Sequence, residues 1–279
     1  MAKPTTKKLN WLERHLPEGL VADSRWLTRH GFSTSLRSQY VDAGWLDQPA
    51  RGVYRRPRGS LTWRQVVISL QGLLGYPLLL GGRTALELHG YAHYLPQQQN
   101  EVHLYGPKPP PQWLHKLPLG TRFLYHNERA LFRHEVVTPE LTHLESESDK
   151  QLSHAAHHHW TVQRWGPWDW PLALSTPERA ILELLDELPK HESFHQADMF
   201  MQGLSNLSPR RLQKLLGDCR SVKVKRLFFY FADRHQHAWL KRLDKDAVDL
   251  GEGKRMLVKG GKLDKSYLIT VPEEMDALR

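Results

Sequence analysis

DSRWLTRHGFSTSLRSQYVDAGWLDQPARGVYRRPR, residues 23–58, decides the fold. A short helix capped by Ser24 runs to His30, with Trp26 and Leu27 inward, and Gly31 turns the chain. A second helix starts in a Ser/Thr cluster and runs from Ser35 to Ala43, before Gly44. At about 100° per residue, Leu36, Tyr40 and Ala43 share one face. Arg37, Ser38 and Val41 point the other way, with Thr34 near the N-terminus on that side. Residues 45–46 and 52–56 alternate like short strands, with Pro49, Ala50 and Arg51 at the tip. Helix, turn, helix and arginine-rich ribbon, in that order, read as a winged helix-turn-helix, whose second helix enters the major groove of DNA.

On that reading Thr34, Ser35, Arg37, Ser38 and Gln39 face base edges. Arginine can take guanine through two hydrogen bonds, and glutamine can take adenine. Arg51, Arg55, Arg56 and Arg58 follow Asp47 with no further carboxylate, and would reach phosphates or the minor groove. Units of this shape also dock proteins, so that alternative stays open.

Charge distribution points the same way. The chain has 279 residues and a formal net charge of +9. Residues 1–61 hold 11 Lys/Arg against 5 Asp/Glu, and residues 209–265 hold 16 against 7. Between them, residues 62–208 are acidic, with 11 against 15. Two basic lobes around an acidic middle suit a polyanionic partner. No apolar run reaches 18 residues, so no membrane span is expected. The N-terminus lacks a secretory apolar stretch. Cys219 is the single cysteine; no intramolecular disulfide can form, and a cytoplasmic setting is the simplest expectation.

The pattern predicts an α+β protein: an N-terminal winged helix-turn-helix over 1–60, then a larger mixed α/β domain over 61–279. A leading helix over 7–16 turns Leu9, Leu12 and Leu16 to one side. RPRGSLTWRQ is the linker. Further helices are expected from Trp63, from Arg83, over 193–203 and 208–218, and over 221–243 with a break. Strands are expected at PLLLGG, NEVHLYG, TRFLYHN and FRHEVVT, and near 246–250, 255–259 and 267–271. STPERAILELLDEL announces a helix, with Ser175 or Thr176 as cap, Pro177 in the first turn and Glu178 at capping-box spacing from Ser175. Residues 143–158 read as a polar loop.

LGGRTALELHGYAHYLPQQQNEVHLYG resembles the opening of a nucleotidyltransferase. Glycines at a strand end admit a triphosphate, and a helix N-terminus faces it. Such enzymes then need two carboxylates, one residue apart on a strand, to hold Mg²⁺. Here Glu101 is followed at that spacing by His103, so metal-dependent transfer through Gly81, Gly82 and Glu101 looks disabled; no catalytic residue is assigned. His154, His157, His158 and His159 cluster without an acid or cysteine to complete a tetrahedral set, and Asp233, His235 and His237 form a second weak group. No metal or cofactor is expected. Cys219 precedes a basic run that could lower its pKa, against the commoner buried thiol. Lys223, Lys225 and Arg226 lead into Phe228, Phe229, Tyr230 and Phe231. They read either as a second basic surface that docks a polyanion or as the end of an all-round buried helix.

Several stretches together resemble the AbiEi-type antitoxins, transcriptional regulators of type IV toxin–antitoxin systems. They are DQPARGVYRRP, TWRQVVISLQGLLGYPLLLGGRTALELHGYAHYLP, LALSTPERAILELLDEL, SVKVKRLFFYFADRHQHAWLKRLD and DLGEGKRMLVKGGKLD. The resemblance implies an N-terminal winged helix that binds inverted repeats in its own operator DNA and represses its promoter. It also implies a C-terminal domain that antagonises a cognate nucleotidyltransferase toxin, and no catalysis by the antitoxin itself. Two alternatives remain: a DNA-binding regulator with no toxin partner, and a divergent nucleotidyltransferase acting on RNA.

Overall fold

The computed structural model describes residues 6–91, 100–134 and 159–275. The helical end expected beyond Tyr91, the rest of FRHEVVT from Glu135, the 143–158 loop and three of the clustered histidines (His154, His157, His158) lie outside the described residues.

Residues 6–55 fold as expected in outline. Helix α1 (Thr6–His15) buries Leu12, and Leu16 follows it into the core. Strand β1 (Val21–Asp23) comes next, then α2 (Ser24–Arg29) and α3 (Thr34–Asp42). The cap of α2 is one residue before the expected Ser24, and α3 starts one residue before the expected Ser35. Asp23 accepts from the Trp26 N–H at 2.7 Å and Ser33 from the Leu36 N–H at 3.2 Å, each satisfying an amide that the helix leaves free. Gly31 makes the turn at φ +78, in the left-handed region that glycine enters without a Cβ penalty.

Strands β2 (Asp47–Ala50) and β3 (Val53–Arg55) form the wing, and β1 completes an antiparallel sheet in the order β1-β3-β2. The ribbon therefore begins two residues later than expected, and its tip is Arg51–Gly52 rather than Pro49–Arg51. Strand β1 had no sequence signature, because three residues are too few to show a period.

Thr62 and Gln65 close a reciprocal capping box on helix α4 (Trp63–Ile68), which continues as one wider turn over Ser69–Leu73. A five-stranded mixed sheet follows, in the order β6-β5-β4-β8-β7: Arg122–Asn127, Glu101–Gly106, Leu79–Leu80, Trp170–Ser175 and Trp160–Trp165. Helices α5 (Gly82–Leu88), α6 (Glu128–Leu131) and α7 (Pro177–Asp186) connect to it. The expected capping box on α7 is not made. Thr176 is the cap position, Ser175 belongs to β8, and the Glu178 carboxylate accepts from the Ser208 N–H at 2.8 Å.

Helices α8 (Phe194–Gly203), α9 (Pro209–Asp218) and α10 (Val222–His235) pack behind α7. Phe228, Phe229, Tyr230 and Phe231 are all buried, so α10 is apolar on every side along this stretch and lies inside the core. The tail strands are β9 (Lys262–Asp264) and β10 (Ile269–Val271); no strand forms at 246–250, and Arg255 contributes a single bridge to Ile269. One hydrophobic cluster runs from Leu12 to Met275. The winged unit is stitched to the rest where the Val21 N–H donates to Ser69 Oγ at 2.9 Å.

Candidate nucleic-acid interface

Helix α3 carries two opposed stripes. With Ser35 as zero and about 100° per residue, Ser38, Gln39 and Asp42 fall within about 60° of it, and all four are exposed. Arg37 and Tyr40 are buried on the opposite side, with Leu36 and Val41 half-buried against the core. Thr34 is exposed at the helix start. The outward face has two hydroxyls, an amide and a carboxylate, and no cation.

Arg37 corrects the sequence reading. Its guanidinium turns inward. Nη1 reaches the Ser24 carbonyl (3.2 Å), Thr28 Oγ1 (2.7 Å) and the Phe32 carbonyl (2.9 Å), and Nη2 donates to Thr34 Oγ1 at 3.0 Å. The group also lies 5.8 Å from the centre of the Tyr54 ring on β3. It therefore clamps α2, the turn, α3 and the wing, and presents nothing to a base. Taking Leu36, Tyr40 and Ala43 as the inner face turned Arg37 outward, but Ala43 is exposed, and carbonyls left free around the turn can hold a buried guanidinium.

The wing arginines are also placed differently. Arg55 Nη2 lies 3.1 Å from the Asp47 carboxylate, Arg56 Nη2 is 3.0 Å from Glu18, and Arg58 Nη1 is 3.1 Å from Glu18. A wing free of nearby acid is thus corrected: the acids arrive from the segment that follows α1 and from β2. Arg51 stands exposed at the tip with no ion pair among the described residues. Arg25 and Arg29, exposed on one side of α2, were missed. They lie outside the helix on which the sequence reading looked for base contacts, and their spacing of four is the signal that could have found them.

The second basic surface is not where the sequence placed it. Lys223 Nζ donates to the carbonyls of Asp186 and Leu188, the latter at 3.0 Å, and capping the end of α7 uses it up. Lys225 is buried. Arg226 pins a loop through the carbonyls of Leu250 (2.7 Å), Gly253 (2.6 Å) and Gly251 (2.9 Å). Exposed charge in this lobe sits instead on other residues, among them Lys214, Lys241, Arg242, Lys254, Arg255 and Lys259.

The glycine turn is filled from within. A Cβ on Gly81 would lie 2.3 Å from both Glu183 Oε2 and the Tyr105 ring. The Gly82 N–H donates to Glu183 Oε2 at 2.9 Å. Glu183 Oε1 accepts from Arg179 Nε (2.6 Å) and Ser175 Oγ (3.0 Å), and Arg179 Nη2 reaches Glu128 at 2.8 Å. Burial works against the Arg179 charge, but Glu183 and Glu128 hold its pKa above the ordinary value. The amide at the start of α5 is thus taken by the chain's own carboxylate.

Glu101 pairs with Arg122. His103 is buried with Nδ1 3.0 Å from His126 Nε2, and burial, with the neighbouring His126, pushes it down to about 4. His159 is pushed down to about 4 as well, by burial first and then by Lys214. Asp233, His235 and His237 go three ways, to the Tyr267 hydroxyl, Asp198 and the Met201 carbonyl. Among the described residues no cluster of three or more metal-ligating side chains occurs. Cys219 is buried, and burial pushes its thiol up to about 11, as the commoner buried-thiol reading expects. No helix among the described residues is long and apolar enough to cross a membrane.

Comparisons with known proteins complete the picture. Residues 5–97 match the family model described as transcriptional regulator, AbiEi antitoxin N-terminal domain. Residues 99–272 match the one described as transcriptional regulator, AbiEi antitoxin, type IV TA system. The crystal structure of RV2827C protein from Mycobacterium tuberculosis matches with a TM-score of 0.55 at 16% identity, over 95% of this chain and 91% of that chain. At that identity the likeness is one of fold. A comparison with curated proteins found no match.

Proposed function

The chain belongs to the AbiEi family of type IV antitoxin transcriptional regulators, and on that premise we propose that it represses its own promoter and opposes a nucleotidyltransferase toxin without catalysing a reaction. Residues 1–60 bind inverted repeats in operator DNA, with α3 in the major groove. The carrying observation is the exposed polar stripe of Ser35, Ser38, Gln39 and Asp42 on the second helix of a winged unit. That is the helix such folds present to base edges. Thr34 joins it at the start. Backbone contacts come from Arg51 and from Arg25 and Arg29, with Arg58 as a partly neutralised neighbour.

Residues 61–279 supply the antitoxic activity. The filled glycine turn supports a non-enzymatic role, because Glu183 occupies the position an incoming phosphate needs. The operator face and the antitoxic part are then separable. A Ser35→Glu/Ser38→Glu variant adds charge that phosphates repel at two exposed positions, so it should fold, fail to repress a reporter driven by its own upstream region, and still rescue cells expressing the cognate toxin. Loss of rescue together with repression would make antitoxicity a consequence of DNA binding.

A further inference from the structure

We propose that one amide, Gln39, sets operator specificity by reading an A·T pair in the major groove. The inference rests on the operator-binding reading above and narrows it to one residue and one base. Four side chains form the outward stripe of α3, and the structure removes the arginine that sequence alone placed beside them. What remains differs sharply in reach and chemistry. Ser35 and Ser38 are short hydroxyls that hydrogen-bond either base type. Asp42 is a carboxylate at the far end of the helix, with no donor to offer and an unfavourable charge near phosphates. Gln39 alone combines a donor and an acceptor on a side chain long enough to meet adenine N7 and N6 at once.

The position suits the chemistry. Gln39 sits one turn beyond Ser35, in the middle of a helix running from Thr34 to Asp42. Its side chain has no intramolecular hydrogen bond to give up among the described residues, whereas Thr34 Oγ1 already accepts from Arg37. The buried guanidinium of Arg37 fixes the roll of α3 against α2 and the wing through four contacts, which holds the Gln39 stripe outward. Arg37 is thus a positioning residue for a reader two residues away. A stripe without a cation also means that sequence-independent attraction comes from the flanking helix and wing tip, so affinity and specificity lie on different residues.

Selection from a randomised duplex pool, with full-length protein, tests this. The wild-type chain should enrich an adenine at one position in each half-site, and 7-deazaadenine there should weaken binding. Gln39→Ala should flatten that position alone and weaken binding to the selected duplex by about 5- to 150-fold. Gln39→Arg should move the preference at the same position to guanine. Unchanged preference in Gln39→Ala, or an equal loss on every duplex, overturns the inference and leaves operator binding standing. A wild-type chain that enriches no sequence overturns the operator reading, and the inference with it.

Discussion

Arg37 is the residue at which sequence and structure part most clearly. Its four side-chain contacts hold the turn together, so Arg37→Ala should cost about 1–3 kcal/mol of stability by leaving buried carbonyls unpaired. Any base preference lost with it should be the one Gln39 sets; flattening at a different base pair would restore Arg37 as a base reader. A second prediction at this scale concerns protons. His103 and His159 stand near 4 in the folded chain, against about 6.5 when unfolded. Between those values the unfolded chain binds protons that the folded chain does not. Stability therefore falls as pH drops through that window and levels off below about 4, with roughly 3 kcal/mol at stake for the fully buried His103. Glu192 acts oppositely. Burial raises it to about 7 and outweighs its 2.8 Å pair with Arg83. The folded chain holds that proton up to pH 7, so this contribution to stability declines as pH rises from about 4.5 to 7. Glu192→Gln removes the opposing term, and the denaturant midpoint should then rise more steeply from pH 4.5 to 6.5. An unchanged slope would mean that Glu192 is ionised throughout.

Among the elements, those with long periodic patterns or strong caps were legible. Helices α7 to α10 and strands β5 and β6 fall close to where the residues placed them. What escaped was set by contacts distant in sequence. Strand β1 exists because β3 pairs with it. The Ser175–Glu178 box was overridden because Glu183 claims the Ser175 hydroxyl and Ser208 with Arg211 claims Glu178. The roll of α3 was misjudged by about 100°, enough to put an inward arginine outside. The wing shows the same cause: Glu13 and Glu18 approach Arg56 from another element. The salt dependence of DNA binding should therefore respond to the tip and not to the ribbon. Arg51→Ala should reduce the slope by about 0.9, one phosphate contact's worth, while Arg56→Ala leaves it unchanged. The reverse pattern would mean that Arg56 releases Glu18 to take a phosphate.

For the whole molecule, composition located the two basic lobes but not which of their side chains face water. In the C-terminal lobe the residues nearest the aromatic run proved to be internal ties, and exposed charge lies on either side of them, as at Lys214, Lys241 and Lys254. The linker at RPRGS separates two compositions, yet one core spans both sides of it, and the two family models divide near residue 98. Residues 61–91 thus follow the N-terminal part by family pattern while packing into both. The most direct test of the account is fluorescence anisotropy of the full chain on duplexes from its own upstream region, against a random duplex of equal length and at fixed salt. The account predicts preferential binding by the wild-type chain to an inverted repeat, abolished in folded Ser35→Glu/Ser38→Glu. Equal binding to both duplexes, or a preference that survives the two glutamates, would contradict it.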